Sequence, residues 1–394
     1  MPTLTGGMTL TGDGMLFNPP PPYVPPTLLV MGNMSYDDPL LSGGGANAGR
    51  VYTTSTTGTN LASITSSDLA TGDYFGRSVA VYGDYILVGA SNKKAAYLFD
   101  KSGTQLLKIA GPNGTGSNTS FGHCVGMNAN YLFVGDRNID SKGAIYRYAL
   151  DGTGETKIQV GSSTNQFGET FAVSDNYVLI GTRYDSVAWV YTITASHPTP
   201  ASNLVQLQPI SGSNPGSFSF GASVAISESL GKFAVGDPSY LYMNSPSFVF
   251  KGQVHVFDIN GSNDYLLRPS DTGGNCGSSV SFNSTKLFAG ANSRWNGTAR
   301  QGGVYSWTIG STSGTNENVI TASGVSASTE ISFGSEIAAT DDVLAVGASS
   351  ARYPGTGTQS GGVYLMNTDG SSQTLVTPID ANDSIGQLHE MDLG

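Results

Sequence analysis

A chain of 394 residues with 38% hydrophobic residues, 12% charged residues and 53 glycines can bury a sizeable core, so wholesale disorder is excluded. The net charge of −11, with 18 scattered Lys and Arg and no basic run, argues against a nucleic-acid partner, because phosphate contacts need clustered cations. No stretch approaches the roughly 18 apolar residues of a membrane span, and Met1-Pro2-Thr3 opens onto no basic-then-apolar segment, so neither membrane insertion nor a signal peptide is expected.

The first 26 residues form an arm with its own composition. TLTGGM at 3–8 is followed at once by TLTGDGM at 9–15, a tandem duplication. Leu4, Met8, Leu10, Met15 and Phe17 are apolar points in its Gly/Thr background. NPPPPYVPP at 18–26 favours an extended polyproline spacer, on the order of 25 Å long at about 3.1 Å per residue. The arm has too little bulk for a core, and an isolated two-stranded element is marginal in water. A disordered tail is one reading; a docking arm that adds strands to a partner is the sharper one.

From residue 27 onward one unit recurs. FGRSVAVYGDYILVGA at 75–90 returns as FGHCVGMNANYLFVGD at 121–136, FGETFAVSDNYVLIGT at 167–182, FGASVAISESLGKFAVGD at 220–237, CGSSVSFNSTKLFAGA at 276–291 and FGSEIAATDDVLAVGA at 333–348. The two glycines stand 13 residues apart in five copies and 15 in the fourth, the mark of a hairpin of fixed length. A variable loop and a third strand follow each hairpin: AAYLFD, GAIYRYAL, VAWVYTI, GQVHVFDI, GGVYSWTI and GGVYLMNT. A weaker fourth strand, such as TQLLKI at 104–109, completes most units. Four antiparallel strands recurring every 46–57 residues predict the blades of a β-propeller. In the first strand, apolar positions (Val79, Val81; Val125, Met127) alternate with small ones (Ser78, Ala80; Cys124, Gly126), which lets neighbouring blades interlock.

Two remnants remain. LLVMGN at 28–33 matches a second strand and GRVYTT at 49–54 a third, while SIGQLHEM at 384–391 supplies the missing first strand with Ile385-Gly386 in the Phe-Gly position. The expected fold is therefore all-β: a seven-bladed propeller over 27–394, its last blade closed by N- and C-terminal strands, with blades starting near 75, 121, 167, 220, 276, 333 and 385. In this register His389 and Glu390 fall where other copies have apolar and small residues.

The pairing of Phe-Gly with a strand ending Val-Gly-Ala, or Val-Gly-Asp-Pro at 235–238, resembles the FG-GAP repeat of integrin-α-type propellers, in phase six times. In that family the hairpin turn often carries an Asp-x-Asp-x-Asp-Gly loop that cages calcium. Here the turn is about two residues, as in SDNYV at 174–178, and no copy retains three spaced carboxylates, so no metal is expected. DANDS at 380–384 reads as a solvated loop. The Gly/Thr-rich opening is similar to the start of structural proteins of marine tailed phages.

No catalytic constellation stands out. His123, His197, His255 and His389 have no metal-ligand spacing and read as structural histidines. There is no GxSxG elbow and no Walker loop, and SGGGANAG at 42–49 precedes no helix, so no cofactor is expected. Cys124 and Cys276 fall on first strands three blades apart and read as buried free thiols. Recognition is expected on the loops between second and third strands, whose face also carries the links between blades. Those loops offer Tyr36, Arg137, Arg183, Tyr184, Tyr240, Tyr242, Arg294, Trp295, Arg352 and Tyr353. The bland alternative is that these side chains cover loop backbone.

The reading is a non-enzymatic virion structural or adhesion protein, bound to other virion proteins through its arm and presenting loops to a host surface glycan or protein. A host-glycan receptor-binding protein is the alternative within binding, and a polysaccharide-degrading propeller the alternative outside it. With neither a calcium cage nor a disulfide expected, neither a chelator nor a reductant should move the melting temperature in calorimetry. A fall of many degrees with chelator alone would restore the calcium loop.

Overall fold

Strands with bulk on one face and small residues on the other must bury the bulk against a neighbour, and in this chain they do so around a ring. The computed structural model describes residues 9–11, 14–16, 28–41, 45–59, 61–112, 119–160, 166–194, 204–208, 219–239, 241–244, 247–262, 265–271, 273–326, 329–350, 361–377 and 388–393. Seven four-stranded antiparallel sheets form seven blades. Blade one consists of Phe75–Tyr82, Tyr85–Ala90, Ala95–Asp100 and Gln105–Ala110, and blades two to six repeat that meander. A fourth strand is present in every blade. The closing blade joins Leu388–Leu393 to Leu28–Asn33, Arg50–Ser55 and Ala62–Ile64.

The core is divided into seven layers, one at each junction between blades. Ala80, Leu87, Ala96 and Leu98 of blade one meet Val125, Met127, Leu132 and Val134 of blade two. Val79, Val81 and Val88, on the opposite face of blade one, meet Val30 and Val51 of the closing blade. The ring is completed where Leu29, Met31 and Tyr52 pack on Ala338, Ala345, Val363 and Leu365 of blade six. The small positions also bond across the junctions: the Ser78 hydroxyl accepts the Val125 N–H at 2.9 Å, and that of Ser281 accepts the Ala339 N–H at 3.1 Å.

The two signature glycines meet each other across these junctions. A Cβ on Gly89, at the end of the second strand of blade one, would lie 2.2 Å from the carbonyl oxygen of Gly122, the Phe-Gly glycine of blade two. The same approach pairs Gly32 with Gly76, Gly135 with Gly168, Gly181 with Gly221, Gly236 with Gly277 and Gly290 with Gly334, all at 2.1–2.3 Å. The Phe-Gly glycines hold φ between 82° and 93°, the left-handed region, which turns that carbonyl toward the preceding blade. The residue before the glycine ties in as well. The amides of Phe75, Phe167, Cys276 and Phe333 donate to Ala48, Lys142, Lys251 and Gln301 of the preceding blade at 2.9–3.1 Å. Its ring packs edge-on against aromatics of its own third strand, as Phe75 does on Tyr97 and Phe99.

The structure corrects the expected register of the closing strand. Met391 pairs with Met31 and Leu393 with Leu29, the places held in blade one by Val79 opposite Val88 and Val81 opposite Ile86. The strand is thus shifted by two residues from the reading that put His389 in the first of those places and Glu390 at the small position after it. The shift puts Met391 and Leu393 at the two apolar register positions, and the strand ladder fixes it. Ile385 and Gly386, like the acidic stretch 380–384, lie outside the described residues.

Cys124 and Cys276 are buried and free, as read from their spacing. Burial pushes the Cys276 thiol well above its ordinary value. Two small elements were not anticipated. A hairpin of Leu241–Asn244 and Ser247–Phe250 is inserted between the second and third strands of blade four, and Thr9–Thr11 pairs with Gly14–Leu16 in the arm. Leu10 and Met15 are a cross-strand pair of that arm hairpin. Leu4, Met8, Phe17 and the proline run lie outside the described residues.

Gly89→Ala sets a methyl against a backbone carbonyl and is expected to cost about 3 kcal/mol. Gly83→Ala, with φ of 57° and nothing within 4 Å of the added carbon, should cost about 1 kcal/mol. Denaturant titration of the two variants measures the difference. Equal costs would remove the glycine contact from its central place.

Candidate functional site: the axial cavity

Along the first strands of blades one to six the ring holds a cavity of about 580 Å³. Its lining includes the residue that follows the Phe-Gly pair in five consecutive blades: Arg77, His123, Glu169, Ala222 and Ser278. Glu336 enters from blade six, and Arg183 from the loop after the second strand of blade three. Val81, Met127 and Val173 line it further along the strands. The loop-face end of the cavity is polar and charged, and the walls beyond are apolar.

The charged groups are held by one another. The Arg77 guanidinium stands 3.2 Å from Nε2 of His123 and donates a second contact to Sδ of Met34 at 3.0 Å. A guanidinium only donates, so His123 accepts at Nε2 and carries its proton on Nδ1. Glu169 lies between two guanidiniums, 3.5 Å from Arg137 and 3.5 Å from Arg183. Arg183 also donates to the Tyr184 hydroxyl at 2.6 Å, and its guanidinium carbon lies 4.6 Å over that ring. On the far side the Ser223 hydroxyl donates to the Gly277 carbonyl at 2.8 Å, and the Ser278 hydroxyl to that of Gly290 at 3.1 Å. Around the axis the rim is cationic or imidazole in blades one and two, mixed in blade three, uncharged in four and five, and acidic in six. Among the described residues no three His, Cys, Asp or Glu side chains converge as metal ligands.

Residues 59–105 match the family model of the FG-GAP repeat, spanning the last strand of the closing blade and the first three strands of blade one. This chain is a seven-bladed β-propeller, one segment of which matches the FG-GAP repeat. No curated protein matches it. Among solved structures it is similar to the one titled "Structure of U3-55K", with a TM-score of 0.47 and 15% identity over 74% of this chain and 76% of that one.

Of the loop residues expected to recognise a partner, the propeller brings three together. Arg137 and Arg183 converge on Glu169, and Tyr184, 53% exposed, stands beside them. Tyr36 does not join them. It is 5% exposed, and Arg50, itself paired with Asp38 at 3.6 Å, covers its ring at 3.8 Å. In that packing the Tyr36 ring supports the loop. Arg294 is a brace in blade five, bonded to Asp271 at 2.8 Å and to the Tyr305 hydroxyl at 3.1 Å. Burial would raise the Asp271 carboxyl, but hydrogen bonds donated by the Tyr305 hydroxyl, the Gly273 amide and Arg294 hold it below its ordinary value. Trp295 is 50% exposed but sits on the blade-five loop, which adds nothing to the cavity lining. Tyr242 pairs with Val249 in the inserted hairpin, and its side chain lies outside what is described. Tyr240, Arg352 and Tyr353 lie outside the described residues.

Sequence reasoning missed Arg77, His123, Glu169 and Glu336 as cavity residues. A signal for three of them was present. The position after each Phe-Gly pair reads Arg, His, Glu, Ala, Ser, Ser down the six copies, a variable column inside an otherwise strict strand. Of the other histidines, His255 is fully buried between Phe220 and Phe257 and bonds Gln253 at 3.1 Å, a packing role. His197 lies outside the described residues, as does the side chain of His389.

Glu169→Gln leaves two guanidiniums facing each other across a largely buried amide. A loss of about 1–2 kcal/mol is expected, between the values for exposed and buried pairs, and it should shrink in high salt. Thermal unfolding at low and high ionic strength measures it. No loss at low salt would show that the two arginines are held apart by other means.

Proposed function

We propose that this propeller is a non-enzymatic binding module of a virion, a structural or adhesion protein whose arm docks on the particle and whose axial rim faces a host surface glycan or protein. The observation that carries the reading is the variable column. The repeat holds its glycines and its small positions for packing, yet the residue after the Phe-Gly pair runs Arg, His, Glu, Ala, Ser, Ser from blade to blade. Variation on a rigid scaffold at a concave, polar-rimmed site is the pattern of recognition. The likeness of the Gly/Thr opening to marine tailed-phage structural proteins supports the virion part, and the proline spacer supports an arm held away from the ring.

One observation favours a second reading. Glu169 and Glu336 enter the same cavity from different blades, and two carboxylates are the minimum for cleaving a glycosidic bond. Glu169, however, sits between two cations, an arrangement that suits an anchor better than a proton donor.

The test uses the full chain, a chain lacking residues 1–26, and the double variant Arg137→Ala/Arg183→Ala. The full chain should adsorb to host envelope and enter the particle. The armless chain should keep its melting temperature and adsorption but fail to enter. The double variant should enter the particle but lose adsorption. Entry of the armless chain would transfer docking to a propeller face. Shortened polysaccharide chains after incubation would replace the binding reading with the enzymatic one.

A further inference from the structure

The axial cavity has two arcs of opposite hydrogen-bonding character. On one side Arg77 and Arg183 present guanidiniums, which only donate. On the other, the hydroxyl protons of Ser223 and Ser278 are committed to the carbonyls of Gly277 and Gly290, so both oxygens face a ligand as acceptors. Glu336 adds a carboxylate on that side, which only accepts. A molecule that bridges the arcs therefore needs an acceptor, best an anionic one, at one end and several donors at the other.

Resting on the binding reading above, we propose that this cavity takes the acidic end of a saccharide, its carboxylate against Arg77 and Arg183 and its ring hydroxyls against Ser223, Ser278 and Glu336. A carboxylate matches the planar fork of a guanidinium. A neutral sugar would offer these guanidiniums, which already bond His123, Glu169 and the Tyr184 hydroxyl, no charge-assisted fork. A phosphate or sulfate would bring up to two negative charges into a cavity that already holds Glu169 and Glu336, in a chain of net charge −11. The cavity of about 580 Å³ is the size of small-molecule sites and admits a sugar or two, not a folded partner.

The experiment is calorimetric titration of the full chain with three probes: a glucuronate-terminated tetrasaccharide, the same tetrasaccharide with its carboxyl methyl-esterified, and free serine as a small zwitterion. The acid should bind at one per chain, the ester at least tenfold more weakly, and serine not at all. Arg183→Gln should weaken the acid at least tenfold, and Ala222→Trp, which fills the cavity from blade four, should abolish its binding. If Ala222→Trp does not fold, the ester and Arg183→Gln decide alone. Equal binding of acid and ester, undiminished binding by folded Ala222→Trp, or binding of serine in preference to the saccharide would each overturn the proposal. Adsorption to host envelope separates the two claims. If the full chain adsorbs while the tetrasaccharide does not bind, only the acidic-saccharide proposal falls. If the full chain does not adsorb either, the binding reading falls with it.

Discussion

A glycine of one blade resting on a glycine carbonyl of the next is the contact on which this ring depends. Six junctions repeat it, with no room for a methyl group in any of them. The approach sets the spacing of blades at the axis, and the interlocking of apolar and small residues then follows along each strand. The Phe-Gly pair serves three purposes in that geometry. Its ring fills its own blade, its amide bonds the preceding one, and its left-handed glycine aims the carbonyl that receives the neighbour.

The consequence is a molecule whose core is shared and never local. Each of the seven hydrophobic layers belongs to two blades, so no blade can keep its buried surface if a neighbour leaves. The closing strand matters for the same reason. Leu388–Leu393 supplies the inner edge of a blade that both blade one and blade six pack against. The tight inner ring also makes the site, because in five blades the residue after the Phe-Gly pair is carried to the axis whatever its chemistry.

Most of the fold was legible because the repeat is constrained by backbone contacts, and such contacts leave only glycine as an option. The 13-residue interval between signature glycines is visible in a single sequence, and so are the third-strand aromatics. The closing register was legible only to within two residues. Its Phe-Gly equivalent is degenerate, and the ladder with Leu28–Asn33 decides the pairing. The site was legible in part. Arg183 and Tyr184 announced themselves as loop residues, whereas Arg77 and His123 looked like ordinary strand positions. Convergence on an axis is produced by the ring as a whole, and no local pattern contains it. Tyr36 shows the converse limit, since an aromatic in a variable loop can be spent on packing beneath an arginine.

Native-state hydrogen exchange tests the shared core most directly. The amides of Phe75, Phe167, Cys276 and Phe333, which bond across blade junctions, should open only with global unfolding, all with the same free energy and the same denaturant dependence. Blades that exchange independently, each with its own smaller opening energy, would contradict the account.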